Sequence, residues 1–369
     1  MKKRLLILGV IFLIAAIAVV GHVSGLFRLI PPDAGADITV NGKMVQTSVK
    51  DGTVYCAADQ LADALGMEYD SGLVYHEMQG DHHFRFMPFR RRTLLDGEEY
   101  GLSARPFNWM GKIYLPVEAA AKALKCSVYT DSETGDVYLT PGAGDWEIPQ
   151  GKKIPILMYH AVSDDLWGLP GLFASPSEME KQLAYLVDNG YDPIWFEDIQ
   201  NLDQYDKPVI ITLDDGYDDN YTELYPLLQK YNVKATIFVI GTGLPEHHKM
   251  THEQIRELAD SGLVSIQSHT MSHYDLAPMS EEELRYEMGE SKRVITRITG
   301  REPFVVCYPT GSYTELTLNV ADDYYRFGTR TDENTADTSG NRMLMSRYTV
   351  SRETTLEDFI AILDKAEKN

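Results

Sequence analysis

Val209-Ile210-Ile211-Thr212-Leu213-Asp214-Asp215-Gly216 decides how the C-terminal part of this chain folds: an apolar, β-branched run stops at two acids and a turn glycine. Runs of the same kind recur at 154–159, 235–240, 264–266 and 304–308, separated by stretches with helical periodicity. Strands that read as continuously apolar are buried on both faces, and helices between them imply a parallel sheet covered on both sides. One helix is legible in detail. Leu284, Met288, Val294, Ile295 and Ile298 stripe the segment 280–299, with Ser280 as N-cap and Glu283 completing a capping box. The region is therefore α/β, and it can close as a barrel or stay an open doubly wound sheet; in either case a site belongs at the carboxyl ends of the strands.

Polar groups gather at those ends. Asp214-Asp215-Gly216 follows one run, Ser268-His269-Thr270-Met271-Ser272-His273 another, Tyr159-His160 a third and Tyr308-Pro309-Thr310-Gly311 a fourth. An Asp-Asp-Gly alone is usually a turn, and a lone strand-end histidine is usually a satisfied core residue. Two histidines four apart can share a cation. Their joint appearance at successive strand ends points to one site, in which a carboxylate and two imidazoles would hold a divalent metal and leave a position open. In an extended segment consecutive side chains diverge, so one of the two adjacent aspartates is expected to bind the metal and the other to act as base.

The motifs also carry a family resemblance. Thr212-Leu213-Asp214-Asp215-Gly216 resembles the T-F-D-D-G signature of the NodB-like polysaccharide deacetylases, carbohydrate esterase family four, and His269-Thr270-Met271-Ser272-His273 is similar to that family's H-[S/T]-x-x-H. The resemblance implies a distorted, incomplete (β/α) barrel, Asp214 as general base, and Asp215, His269 and His273 as ligands of zinc, with cobalt or nickel as alternatives. The third motif, R-P-P-Y-G, falls on Cys307-Tyr308-Pro309-Thr310-Gly311, so the arginine that orients the base is missing; Tyr308 and Thr310 would face substrate, Thr310 through its backbone amide. No histidine stands in the late L-x-H position, where the chain reads Leu344-Met345-Ser346-Arg347-Tyr348. This resembles a branch of exported deacetylases in which an early Tyr-His supplies the acid, here His160. Arg347, Arg330 and Arg301 are candidates to replace the lost arginine, Arg347 first.

Upstream the chain changes character. Lys2, Lys3 and Arg4 precede an apolar stretch that extends to residue 27, with no small-residue cleavage site after it, so residues 1–28 are expected to be a retained signal anchor, with all that follows outside the cytoplasm. Residues 36–142 repeat themselves. Ile38-Thr39-Val40-Asn41-Gly42 is echoed by Thr93-Leu94-Leu95-Asp96-Gly97, and 54–66 by 113–124, each half reading as hairpin, short amphipathic helix and strand. This resembles the copper-amine-oxidase N-terminal-like stalk domain of exported bacterial proteins. A second linker near 142–151 leads into the catalytic region, 152–369.

With 55 acidic and 34 basic residues the net charge is −21, which argues against a nucleic-acid partner. Cys56, Cys126 and Cys307 are widely spaced within apolar runs and read as buried thiols. The expected function is removal of N-acetyl groups from N-acetylglucosamine-type residues of a cell-wall or extracellular polysaccharide by a membrane-tethered hydrolase. The alternative is a catalytically impaired, glycan-binding wall module. A phosphoesterase is disfavoured, because such sites gather two metals and more carboxylates.

Overall fold

Short apolar runs that end on polar residues can be buried only side by side, and the C-terminal region does this with seven of them. In the computed structural model the described residues run from 33 to 368, apart from 35–37, 41, 52, 66, 71–73, 78–82, 87–91, 96–97, 103, 110, 124–125, 132, 134–136, 141–146 and 243–247. The expected anchor, 1–28, lies outside the described residues. Among the described residues no helix is long and apolar enough to cross a membrane. The chain divides into two compact units, Met1–Gly144 and Asp145–Asn369.

In the second unit β1 (Ile156–Tyr159), β2 (Pro208–Leu213), β3 (Ala235–Val239), β4 (Val264–Ser268), β5 (Val305–Cys307), β6 (Phe327–Thr329) and β7 (Tyr348–Thr349) form one parallel sheet in the order β6-β5-β4-β3-β2-β1-β7. The sheet curls until its two edges approach. Thr329 at the end of β6 makes a single parallel bridge to Met345, three residues before β7, so the barrel closes there by one rung only. The first five strands lie within or overlap the runs read from sequence; β6 and β7 do not announce themselves, being three and two residues long. Helices α1 (Pro176–Asp188), α2 (Tyr225–Tyr231), α3 (His252–Asp260), α4 (Glu281–Thr299), α5 (Glu315–Tyr324) and α6 (Leu356–Lys368) occupy the connections and the C-terminus. The α4 reading is met to the residue: Ser280 Oγ accepts the Glu283 amide, Glu283 reaches back, and Gly300 ends the helix with φ 71°.

The barrel interior is filled. Phe196 rises from a 3₁₀ segment at the amino ends of the strands and meets Phe238 and Phe327, with ring centroids 6.3 and 5.9 Å away. The N-terminal unit repeats strand into helix twice, Thr53–Ala57 into Ala58–Leu65 and Lys112–Pro116 into Val117–Ala123, and the two strands pair antiparallel. Ile38–Val40 pairs antiparallel with Lys43–Val45, and Arg92–Leu95 with Glu98–Gly101.

Candidate active site

Parallel strands deliver their last residues to one rim, and here they deliver the acids and imidazoles singled out above. Asp214 follows β2 and is 2% exposed. Both of its oxygens are gripped by Arg347, Nη1 donating to Oδ1 at 2.7 Å and Nη2 to Oδ2 at 2.8 Å. The guanidinium comes from the residue before β7; it is 1% exposed, also donates to Thr212 Oγ1 at 3.1 Å and to Cys307 Sγ at 3.0 Å, and lies over the Phe238 ring. A planar fork on a carboxylate is the arrangement a base-orienting arginine needs. Arg330 and Arg301 are not brought to Asp214; they pair with Asp332 and Asp260. Burial alone would lift the Asp214 carboxyl, but Arg347 overrides it and holds the group well below the usual carboxylate range.

Asp215 diverges from Asp214, though not by strand alternation. It has φ 74°, in the left-handed region, and Gly216 follows with φ 65°, so a turn re-aims the second carboxylate. Its Oδ1 lies 3.5 Å from His269 Nε2 and 3.3 Å from His273 Nε2. The two imidazoles are not stacked on a helix face either. They sit on a loop in which Thr270 and His273 have φ 64° and 57°, pinned by Glu287 of α4, whose Oε2 accepts the Met271 and Ser272 amides at 2.9 and 2.8 Å. Glu287 is buried, and sequence reading missed it; its place on the inner side of the α4 stripe was the only signal.

These three residues fit a divalent cation. Asp215 Oδ1 is buried and has no hydrogen-bond partner among the described residues, an orphan that needs an explanation. His269 Nδ1 lies 2.8 Å from the Cys307 carbonyl, so a proton there donates to it and leaves the Nε2 lone pair facing Asp215. Burial opposes a charged His269 ring, yet Cys307 and the two aspartates raise it to about 10, so a proton competes with a cation for Nε2. Asp214, His269 and Cys307 also approach one another, but both Asp214 oxygens are already held by Arg347, which disfavours a second cation there.

His160, just beyond β1, places Nε2 3.9 Å from Asp214 Oδ2, and burial holds its imidazole below the ordinary value. Thr310 is exposed at the rim with φ 58°. Tyr308 is not delivered to the rim: its hydroxyl donates to the Met343 carbonyl at 3.0 Å, its amide bonds Thr329, and it is 1% exposed. Its ring packs on the outer face of the sheet with Leu284 and Met288 of α4 and Val320 of α5, because alternation turns Cys307, not Tyr308, toward Asp214. Of the aromatics near the rim, Trp167 is enclosed by Phe173, Tyr217 and a stacked His248, whereas Tyr274 is 67% exposed beside His273.

The Polysaccharide deacetylase family pattern matches residues 201–325. The "Putative polysaccharide deacetylase YxkH" of Bacillus subtilis is 36% identical over 205 residues, covering 54% of this chain and 72% of that protein. The poly-β-1,6-N-acetyl-D-glucosamine N-deacetylase of Escherichia coli K12 is 29% identical over 141 residues, which are 32% of this chain and only 21% of that enzyme. Among solved structures, the Streptococcus pyogenes deacetylase PplD in complex with acetate superposes with a TM-score of 0.55 at 27% identity, over 58% of this chain and 99% of that one. With YxkH matched over most of its length and the strand-end residues assembled as described, the chain belongs to the polysaccharide deacetylase family and is a hydrolase acting on non-peptide carbon–nitrogen bonds.

Proposed function

We propose that this chain removes acetyl groups from N-acetylglucosamine-type residues of a cell-wall or extracellular polysaccharide, using one divalent cation held by Asp215, His269 and His273. The observation that carries this reading is the buried, unpartnered Asp215 Oδ1 facing two imidazole nitrogens at 3.3 and 3.5 Å. A zinc ion bound there would polarise the acetamide carbonyl and acidify a water.

The protein's own groups divide the proton work. Asp214, kept ionised by Arg347, takes a proton from the attacking water. A carboxylate held so far below its usual range does not retain that proton. His160 starts neutral because it is buried, stands 3.9 Å from Asp214 Oδ2, and passes the proton on to the departing amine. The Thr310 backbone amide is assigned to the developing oxyanion. The products are acetate and a free glucosamine amine; the acetate complex of the Streptococcus pyogenes relative agrees with that product.

The impaired-module alternative rests on the missing arginine of the third motif and the relocated histidine; the Arg347 fork on Asp214 speaks against the first of these. We read the N-terminal unit as a stalk and residues 1–28 as its membrane anchor, with the catalytic unit outside the cytoplasm. Incubation of the purified chain with N-acetylglucosamine oligomers and peptidoglycan fragments, with and without zinc, tests the activity. Acetate release that zinc supports and a chelator abolishes is the expected result; equal release in chelator would refute the metal assignment.

A further inference from the structure

The backbone from the His160 carbonyl to the Val162 amide is pinned by two neighbouring side chains that the chemistry above does not use. The Asn220 side-chain amide donates to the His160 carbonyl at 2.9 Å and to Asp219 Oδ1 at 2.8 Å. Asp219 Oδ1 also accepts the Val162 amide at 2.9 Å. One residue earlier, the Asp214 amide donates to the Tyr159 carbonyl at 2.9 Å, so the strand end before His160 is tied to the residue that supplies the base. Between these points His160 has little freedom left.

The pair is an expensive device for a plain turn. Asp219 is 5% exposed and Asn220 fully buried. Asp219 Oδ2 and Asn220 Oδ1 are both buried without a hydrogen-bond partner among the described residues. Each such oxygen carries a desolvation cost that an apolar pair of similar shape would avoid. The turn itself is unusual: Asn220–Leu224 is a π-type turn closed by the Tyr225 amide on the Asn220 carbonyl, a wide geometry that recurs at functional sites.

We propose that Asp219 and Asn220 form a bracket that fixes His160 at its working distance from Asp214, which makes them positioning residues for proton delivery to the leaving amine. The inference rests on the reading of His160 as the acid of the proposed reaction. Its physical basis is that a donor displaced by about 1 Å from a productive geometry loses on the order of a hundredfold in rate.

A substrate that needs no acid separates this role from a merely structural one. In 4-nitrophenyl acetate the carbon–oxygen bond breaks and the phenolate leaves unprotonated; in an N-acetylglucosamine oligomer the amine must receive a proton as the carbon–nitrogen bond breaks. Asn220→Ala is expected to lower kcat on the oligomer roughly 10–100-fold, with KM changed less than about threefold, and to lower the ester rate far less. His160→Ala should show the same preference more strongly. If the ester/amide ratio of Asn220→Ala stays at the wild-type value while that of His160→Ala rises, the bracket is wrong and the acid assignment stands. If His160→Ala loses both substrates equally, the acid assignment falls and takes the bracket with it. Should Asn220→Ala not fold, Asp219→Asn, which preserves side-chain volume and an acceptor for Val162, is expected to raise the ratio less than Asp219→Ala; equal ratios for those two variants would overturn the bracket.

Discussion

The two ends of the barrel each bury an acid, and the two acids are shifted in opposite directions. At the carboxyl ends, Asp214 is sealed but clasped by the Arg347 fork, and it stays ionised. At the amino ends, Glu197 accepts from Ser265 Oγ at 2.8 Å while its Oε2 is buried without a hydrogen-bond partner among the described residues. Part of Glu197 reaches the surface, yet burial of its carboxyl dominates and pushes it up to about 7. Burial therefore raises an acid toward its neutral form, and a fixed opposite charge beside it holds a buried carboxylate ionised. The same contrast repeats within the rim, where Arg347 donates to both Asp214 oxygens while Asp215 Oδ1 has no hydrogen-bond partner among the described residues, which leaves room for an exchangeable cation.

Removing the charge of Asp214 should break this contrast most severely. Asp214→Asn is expected to reduce turnover by about a thousandfold or more, at the upper part of the range for general-base removal, while the bound metal measured by elemental analysis is unchanged. Near-normal acetate release would sink the base assignment. Asp215→Ala should do the reverse of the metal result: cation affinity, followed by titration with zinc, weakens by more than about a hundredfold, beyond the effect of outer-shell changes. Retained affinity would move the cation elsewhere. Arg347→Met strands Asp214 as an unpaired buried charge, so a loss of about 3–5 kcal/mol in unfolding free energy is expected alongside a fall in kcat. A variant as stable and active as the parent would show that the fork does neither job.

The smallest effect is at the other end. Because the folded value for Glu197 lies above its ordinary 4.5, its protonation favours the fold below about pH 4.5, and that contribution is lost as pH rises toward about 7. The loss is about 3 kcal/mol across that window, and Glu197→Gln should flatten it. Denaturant titrations of both proteins at pH 5 and pH 8 would read the difference directly; parallel pH dependences would mean that Glu197 is not the group responsible.

Much of the site was legible because its residues are written next to the strands that present them. Asp214, Asp215, His269, His273 and His160 each follow an apolar run, and the local rule that strands hand their termini to one rim is enough to gather them. Tyr308 shows where such reading stops. It too follows a run, but its place in the alternation of β5 sends its ring to the helix-covered face of the sheet, a matter of one residue of phase that the motif does not reveal. The turn at Asp215 and the loop between His269 and His273 likewise depend on left-handed residues that pattern alone does not assign.

The amino-acid sequence by itself determined the α/β alternation, the five apolar strands, the α4 helix with its caps, and the set of acids and imidazoles, since periodicity and adjacency are local properties. Only the tertiary structure decided which arginine reaches Asp214. Arg347 lies 133 residues from Asp214 in the chain and reaches it because β7 closes the barrel beside β1 and β2, whereas Arg330 and Arg301 are claimed by nearer acids. The contacts of Asp219 and Asn220 with the backbone at 160–162 likewise join segments far apart in the chain, brought together because β1 and β2 pair in the sheet.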